Sequence, residues 1–152
     1  MVRWYLLQNP KICWNGYNTN IDIKVKDTKS CANNMNKIKA LSNNWQSYYP
    51  VFAWCYNYGT DWYLPATAEL IAILDNQSAI NSTLSAKGYA TLDDGSGGNG
   101  YTGWWPYWTS TQCGTEAAHC MTMDYYPHDK YIGDVTRAKK TFNCLVRAIF
   151  AW

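Results

Sequence analysis

The spacing of apolar residues changes along the chain, from helical periods in the first half to short strand-like runs in the second. A helix over residues 30–41, with Asp27 or Thr28 as its cap, is predicted by apolar residues three and four positions apart: Cys31, Met35, Ile38 and Leu41. A second helix is predicted over residues 50–58, because Pro50 suits a first helical position and Gly59 follows the end. Pro65 opens a third helix, with a buried stripe of Leu70, Ile73 and Leu74.

Strand signals lie on both sides of these helices. Two short strands are predicted at residues 4–7 and 21–25, where apolar pieces lie between turn signals. After the glycine-rich residues 93–100, three more strands are predicted at residues 107–111, 120–124 and 143–150. The last run is apolar on both faces except for Arg147, which is typical of a central strand. Helices followed by an antiparallel sheet predict the α+β class, and 152 residues suffice for one domain.

Composition narrows the functional classes. Lys and Arg number 13 against 11 Asp and Glu, with no basic run, so we expect neither nucleic acid nor a charged membrane surface as partner. The apolar runs are too often interrupted to cross a bilayer, so no direct membrane insertion is expected. Residues 1–10 also lack the apolar stretch of a signal peptide. Aromatic residues form 16% of the chain, and the excess of Trp and Tyr over Phe is typical of binding surfaces.

Cysteine and histidine residues raise the question of catalysis or metal binding. The six cysteines are an even number without CxxC spacing, so their connectivity stays open. A Cys–His nucleophile or a zinc site would draw on one stretch that holds Cys113, His119, Cys120 and His128. Adjacent residues on a strand point to opposite faces, which separates His119 from Cys120. The acidic pair at residues 93–94 lacks calcium-loop spacing. We therefore predict no catalytic residue, no metal and no cofactor.

Residues 61–70 read DWYLPATAEL and resemble the D-W-Y-L-P-x-x-x-E-L signature of bacterial C-type-lectin-like domains. Further pieces follow in the family's order: Ile80 and Asn81 with Leu84, YWTST at 107–111 against Y-W-S-S-T, a strand from Ala118 to Asp124, and the closing V-R-A at 146–148. The resemblance extends from about Pro50 to the C-terminus, whereas residues 1–45 match poorly. Ala66 stands where the family often has the Ser or Thr of a capping box.

This family includes formylglycine-generating-enzyme-like proteins, bacterial surface domains and the variable proteins of diversity-generating retroelements, among them the major tropism determinant type. The resemblance implies a single C-type-lectin-like domain over residues 1–152, with helices flanking a small twisted antiparallel sheet and long irregular loops. It predicts one core that contains Trp62, Leu70, Leu74, Trp108 and Val146. It also implies that Cys55 and Cys144 form a disulfide in an oxidising compartment, or remain core thiols in a reducing one.

The resemblance further implies a non-enzymatic recognition domain at a bacterial or phage surface, which binds a protein or glycan through its aromatic-rich C-terminal loops. The predicted ligand-binding residues form one exposed face: Trp104, Trp105, Gln112, Thr115, Tyr125, Tyr126, His128, Asp129 and Tyr131. Two alternatives stay open. One is a structural or adhesin-tip domain with an obligate partner interface, and the other is a formylglycine-generating-type enzyme.

Overall fold

The computed structural model describes residues 10–16, 21–92, 106–121 and 135–150, which form a mixed α+β fold. The helices in these ranges are Cys31–Leu41 (α1), Trp45–Tyr48 (α2), Pro50–Tyr56 (α3), Thr67–Asp75 (α4) and Gln77–Ala86 (α5). The strands are Lys11–Cys13 (β1), Trp62–Tyr63 (β2), Tyr107–Gln112 (β3), Ala117–Met121 (β4), Val135–Lys139 (β5), Asn143–Leu145 (β6) and Ile149–Phe150 (β7). None of these helices is long and apolar enough to span a membrane.

The helices begin close to where the sequence predicts, with different caps. Ser30, and not Asp27 or Thr28, is the N-cap of α1, because its hydroxyl accepts the amide of Asn33 at 3.2 Å. Ala66 offers α4 no side-chain acceptor. Glu69 instead accepts the amide of Ala66 at 2.7 Å and that of Cys31 at 3.1 Å. One carboxylate therefore holds the first turns of both α1 and α4, where a negative charge is favourable.

The predicted third helix is α4, and a further helix, α5, follows it directly. α4 ends at Asp75, and α5 begins again after Asn76, whose side-chain amide donates to the Ala72 carbonyl at 2.8 Å. This bond satisfies a carbonyl that a continuing helix would have paired with the backbone. The second predicted helix also ends two residues early, at Tyr56 rather than Tyr58.

Five strands form the main sheet in the order β1-β6-β3-β4-β5, and β2 pairs with β7 in a separate ribbon. The pairs are antiparallel except one: β3 runs parallel to β6, with Tyr107 opposite Leu145, so the expected purely antiparallel sheet is wrong at this pair. The predicted strand 143–150 is divided into β6, which pairs with β1, and β7, which pairs with β2. The predicted strand at 120–124 is β4, which begins earlier, at Ala117; residues beyond 121 lie outside the described ranges.

The predicted strand at residues 21–25 is wrong. Lys24 has a φ of 61°, in the left-handed region that interrupts an extended chain. The Asp22 carboxylate accepts the Lys24 amide at 3.1 Å and pairs with the ammonium groups of Lys24 and Lys26 at 2.6 and 3.0 Å. These local bonds fold the segment into a turn whose Ile23 and Val25 side chains are still buried. The other early strand, at residues 4–7, lies outside the described ranges.

The sheet has an apolar cluster on each face, instead of the single predicted core. One cluster joins Trp108, Cys144 and Val146 to residues of α1 and α3. The other joins Leu70 and Leu74 of α4 to strand residues on the opposite face, namely Tyr107, Met121 and Leu145. Trp62, predicted in the core, is only half-buried and packs at the edge of the first cluster, with its ring 5.8 Å from that of Phe150.

Two fully buried tryptophans connect β1 to β3. The indole N–H of Trp14 donates to the Thr109 carbonyl at 2.8 Å, and that of Trp108 donates to the Ile12 carbonyl at 2.7 Å. Because β6 lies between β1 and β3 in the sheet, these bonds join strands that do not pair with each other. The two bonds satisfy every polar side-chain atom of both residues inside the core.

Lys140 is buried beside this pair. Its ammonium group donates to the Thr115 carbonyl at 2.8 Å and the Ile21 carbonyl at 3.2 Å, and it lies 4.9 Å from the centroid of the Trp14 ring. Burial lowers the pKa of Lys140 to about 8 because the charged form loses its hydration. The side chain thus ties the β3–β4 turn to residue 21 at an electrostatic cost.

We predict that Trp108→Ala lowers the free energy of unfolding by about 3–5 kcal/mol, through loss of packing and a cavity. Trp108→Phe should cost about 1–3 kcal/mol, since the Ile12 carbonyl would lose its buried donor. Tyr48→Ala is the control, because this side chain is 45% exposed. Urea denaturation of the three variants is the measurement. A Trp108→Phe variant as stable as the wild type would contradict the role given to the indole bond.

We also predict that Lys140 makes stability depend on pH. Its pKa is about 8 in the folded chain against an ordinary value of 10.5, so between these values the unfolded chain binds more protons on this group. The contribution of Lys140 to the free energy of unfolding therefore rises with pH from about 8 to 10.5. Urea titrations of the wild type and Lys140→Met at pH 7.5 and pH 10 should show the wild type gaining relative to the variant. A difference independent of pH would contradict the prediction.

Candidate functional site

Both aromatic-rich stretches of the C-terminal half join the sheet at the same end. Tyr107 at the start of β3 pairs with Met121 at the end of β4, and Met121 pairs with Val135 at the start of β5. Residues 93–105 therefore join the sheet at Pro106, just before β3. Residues 122–134 connect the end of β4, one strand away from β3, to the start of β5, two strands away. Neighbouring strands lie about 4.8 Å apart, so these attachment points fall within roughly 10 Å.

The start of the first stretch is held by two polar side chains. Asn81 of α5 accepts the Leu92 amide at 2.7 Å and donates to the Leu92 carbonyl at 3.4 Å. Arg147, only 5% exposed, donates to the Ala90 carbonyl at 3.2 Å. Neither residue is among the site residues predicted from the sequence, although both stand in pieces that resemble the family. They fix the chain just before residue 93, and so belong to the support of the candidate site.

Arg147 also lies among aromatic rings. Burial lowers the pKa of its guanidinium, while the phenols of Tyr107 and Tyr58 favour its charged form. From Tyr58 a row of aromatic rings extends along the surface. The centroid of the Tyr58 ring lies 4.9 Å from that of Trp54 and 5.7 Å from that of Trp62. Phe150 continues the row, with its ring centroid 5.8 Å from that of Trp62. Half-buried aromatic side chains thus extend from the end of the sheet where the two stretches attach.

Most of the predicted ligand-binding residues fall in the two stretches and outside the described ranges. They are Trp104, Trp105, Tyr125, Tyr126, His128, Asp129 and Tyr131. The described strands place the attachment points of both stretches together. The prediction that they form one face remains a prediction.

Gln112 is not part of an exposed face, and its prediction as a surface residue is wrong. It is 2% exposed, at the end of β3. Its side-chain oxygen accepts the Ile23 amide at 3.1 Å, and its side-chain nitrogen donates to the carbonyls of Ile21 at 3.0 Å and Gly114 at 2.6 Å. The amide is buried because the turn at residues 21–25 covers it and supplies partners for both of its ends.

Thr115 is exposed, but it does not neighbour the attachment points. It lies in the turn between β3 and β4, at the opposite end of β4 from Met121. The five residues of β4, at about 3.3 Å each, separate these two ends by roughly 15 Å. The ammonium group of Lys140 holds this turn by donating a hydrogen bond to the Thr115 carbonyl.

The cysteines are all free thiols, and the Cys55–Cys144 bridge is not formed. The hydrogen-bonding partner of the Cys144 thiol is Cys120 of β4, and this bond together with burial raises the pKa of Cys144. Cys55 is completely buried, and this burial raises the pKa of its thiol. The nearby Cys31 thiol raises that pKa further. Their raised pKa values make Cys55 and Cys144 poor nucleophiles at neutral pH, whereas the bond with Cys144 lowers the pKa of Cys120.

His119 contacts the start of α4. Its Nδ1 is 3.2 Å from the Thr67 hydroxyl at the start of α4, and it stands opposite Arg137 of β5. Burial and the Arg137 charge both lower its pKa, which favours the neutral imidazole. Burial also raises the pKa of Cys113 despite nearby Arg137 and Lys140. Among the described residues, no three His, Cys, Asp or Glu side chains form a group suited to a metal ion.

No protein-family model, curated protein or solved structure matches this chain.

Proposed function

We propose that the chain is a non-enzymatic recognition domain of the C-type-lectin-like kind, which binds a protein or glycan ligand through residues 93–105 and 122–134. The observation that carries this proposal is the pairing of Tyr107, Met121 and Val135 across three adjacent strands. Two stretches that leave one end of a rigid sheet side by side can present their side chains to one ligand. Loops on a rigid scaffold are a common location for binding residues.

The composition of these stretches suits such a role. Trp104 and Trp105 stand just before the sheet, and Tyr125, Tyr126 and Tyr131 lie in the second stretch with His128 and Asp129. Tyr and Trp give large rigid contacts at low entropic cost, and Gly residues permit close approach. Gln112 is buried and Thr115 lies at the opposite end of β4, so neither belongs to the proposed face.

The separation between the side chains that hold the scaffold and the two proposed binding stretches favours a retroelement-diversified variable protein. The side chains that hold the scaffold, Asn81, Gln112 and Arg147, lie outside both stretches and bond mainly to backbone atoms. Residues within the stretches are then free to vary without removing these bonds. The surface of a bacterium or phage remains the expected location.

The two alternatives are less well supported. A formylglycine-generating-type enzyme needs a reactive cysteine pair, whereas burial raises the pKa of Cys113 and Cys120 is buried in the core. An adhesin-tip domain would use the same aromatic stretches as an obligate interface. It predicts a stable assembly at nanomolar concentration, which sedimentation of the purified chain would detect and which a free recognition face does not require.

We predict that Tyr126→Ala with Tyr131→Ala weakens ligand binding by roughly thirtyfold or more, the effect of losing about 2 kcal/mol at an interface hot spot. The melting temperature should stay nearly unchanged. The matched control is Tyr48→Ala with Phe142→Ala, which removes two aromatic side chains that are 45% and 56% exposed elsewhere on the chain. A glycan array and a bacterial surface-protein array identify the ligand, and titration of that ligand measures each variant. Unaltered affinity of the folded first variant would refute the proposed face.

We further predict the distribution of substitutions among copies of this gene from related strains. Replacements should concentrate in residues 93–105 and 122–134, while Asn81, Gln112 and Arg147 stay unchanged. Sequencing several copies is the measurement. Substitutions spread evenly over the chain would count against diversification, though not against ligand binding.

A further inference from the structure

The outer edge of β5 is a second surface, distinct from the proposed ligand-binding face. β5 is the last strand of the five-stranded sheet and, in the part of the chain that the structure describes, pairs with β4 alone. The amide of Lys140 donates to the Glu116 carbonyl at 2.8 Å, which makes 140 and 116 a hydrogen-bonded pair. Such pairs alternate along an antiparallel ladder, so residues 138 and 136 direct their backbone groups to β4. The backbone N–H and C=O of Arg137 therefore point outward.

The side chains along this edge are cationic. Arg137 and Lys139 are both exposed and two residues apart, so they lie on the same face of β5, whereas Ala138 packs against the core on the other face. Neither cation forms an ion pair with a described acidic residue; the ion pairs in these ranges join Asp22 to Lys24 and Lys26. His119, opposite Arg137, adds a polar ring to the same face.

We propose that this edge binds an extended acidic peptide of a partner protein by strand addition. The outward backbone groups supply the hydrogen bonds, and acidic side chains at alternate positions of the peptide face Arg137 and Lys139. The proposal is independent of the ligand-binding face proposed above.

Charge excludes the simplest competitor, a second copy of this chain. Antiparallel pairing of two β5 edges places Arg137 opposite Arg137, or Arg137 opposite Lys139 twice, according to the register. Like charges directly opposite each other destabilise a strand pair, and edge cations are a known protection against self-association. The same cations attract a strand with acidic side chains, which is complementarity of the kind that selects partners.

The test uses a fluorescein-labelled nine-residue peptide of alternating Glu and Thr, blocked at both ends, and a matching peptide with Lys in place of Glu. Fluorescence anisotropy measures binding to the full chain and to Arg137→Glu with Lys139→Glu. The matched control is Lys29→Glu with Lys87→Glu, which makes the same change of net charge at two exposed positions elsewhere. We expect the first variant to bind the acidic peptide at least about tenfold more weakly and to bind the Lys peptide instead. We expect the control to stay within about twofold of the wild type.

Amide hydrogen exchange separates strand addition from simple charge attraction. In the complex, exchange at the Arg137 and Lys139 amides should slow, and a peptide with Pro at alternate positions should not bind. Equal weakening in both charge variants, binding without protection of the Arg137 amide, or no binding by the wild type would each overturn the proposal. Self-association that the Arg137→Glu and Lys139→Glu changes abolish would overturn it in favour of a second copy. If that variant fails to fold, Arg137→Gln with Lys139→Gln makes the same comparison.

Discussion

The reciprocal bonds of two indoles are the constraint on which the rest of the domain depends. Trp14 and Trp108 each donate to a carbonyl of the other's segment, and thereby hold β1 and β3 on either side of β6. A buried donor without a partner is costly, so the two strands are held at one separation and one register. The side chains that occupy each face of the sheet follow from this register.

A second set of polar bonds fixes the middle of the sheet. All six residues of β3 are buried, and its polar members bond to the chain segments that cover them. Ser110 accepts from Asn34 of α1, Thr111 donates to the Asp27 carbonyl, and Gln112 bonds the turn at residues 21–25. This central strand is held by hydrogen bonds as much as by apolar packing, and the strand ends that bear the two aromatic stretches inherit its rigidity.

The sequence predicts those parts of the structure that depend on local periodicity. The spacing in α1, the Pro50 start of α3 and the run at β3 all correspond to observed elements. Local periodicity does not predict features that depend on residues far away in the sequence. An amide such as Gln112 is indistinguishable from a surface residue until its partner Ile23, far away in sequence, is known. The division of β6 from β7 likewise depends on pairing with β1 and β2, which lie far away in the sequence.

The same limit applies to the candidate site. The aromatic excess and the family-like pieces predict where along the chain a binding face lies, because composition is a local property. The common attachment of both stretches at one end of the sheet depends on the register of β3, β4 and β5, which spacing does not give. Asn81 and Arg147 were visible as motif members, but their bonds to the chain before residue 93 became evident only from the fold.

The position of β1 in the sheet has a consequence for synthesis on the ribosome. Lys11 pairs with Leu145, which lies 134 residues further along the chain. At roughly 5–20 residues per second, β1 waits about 7–27 s for its partner strand to be made. During that interval its backbone groups have no partners in β6, and the Trp14 indole has none until Thr109, 95 residues further along the chain, is made. This segment is therefore exposed to chaperones and to aggregation until β6 has been made, and only then can the sheet close around β1.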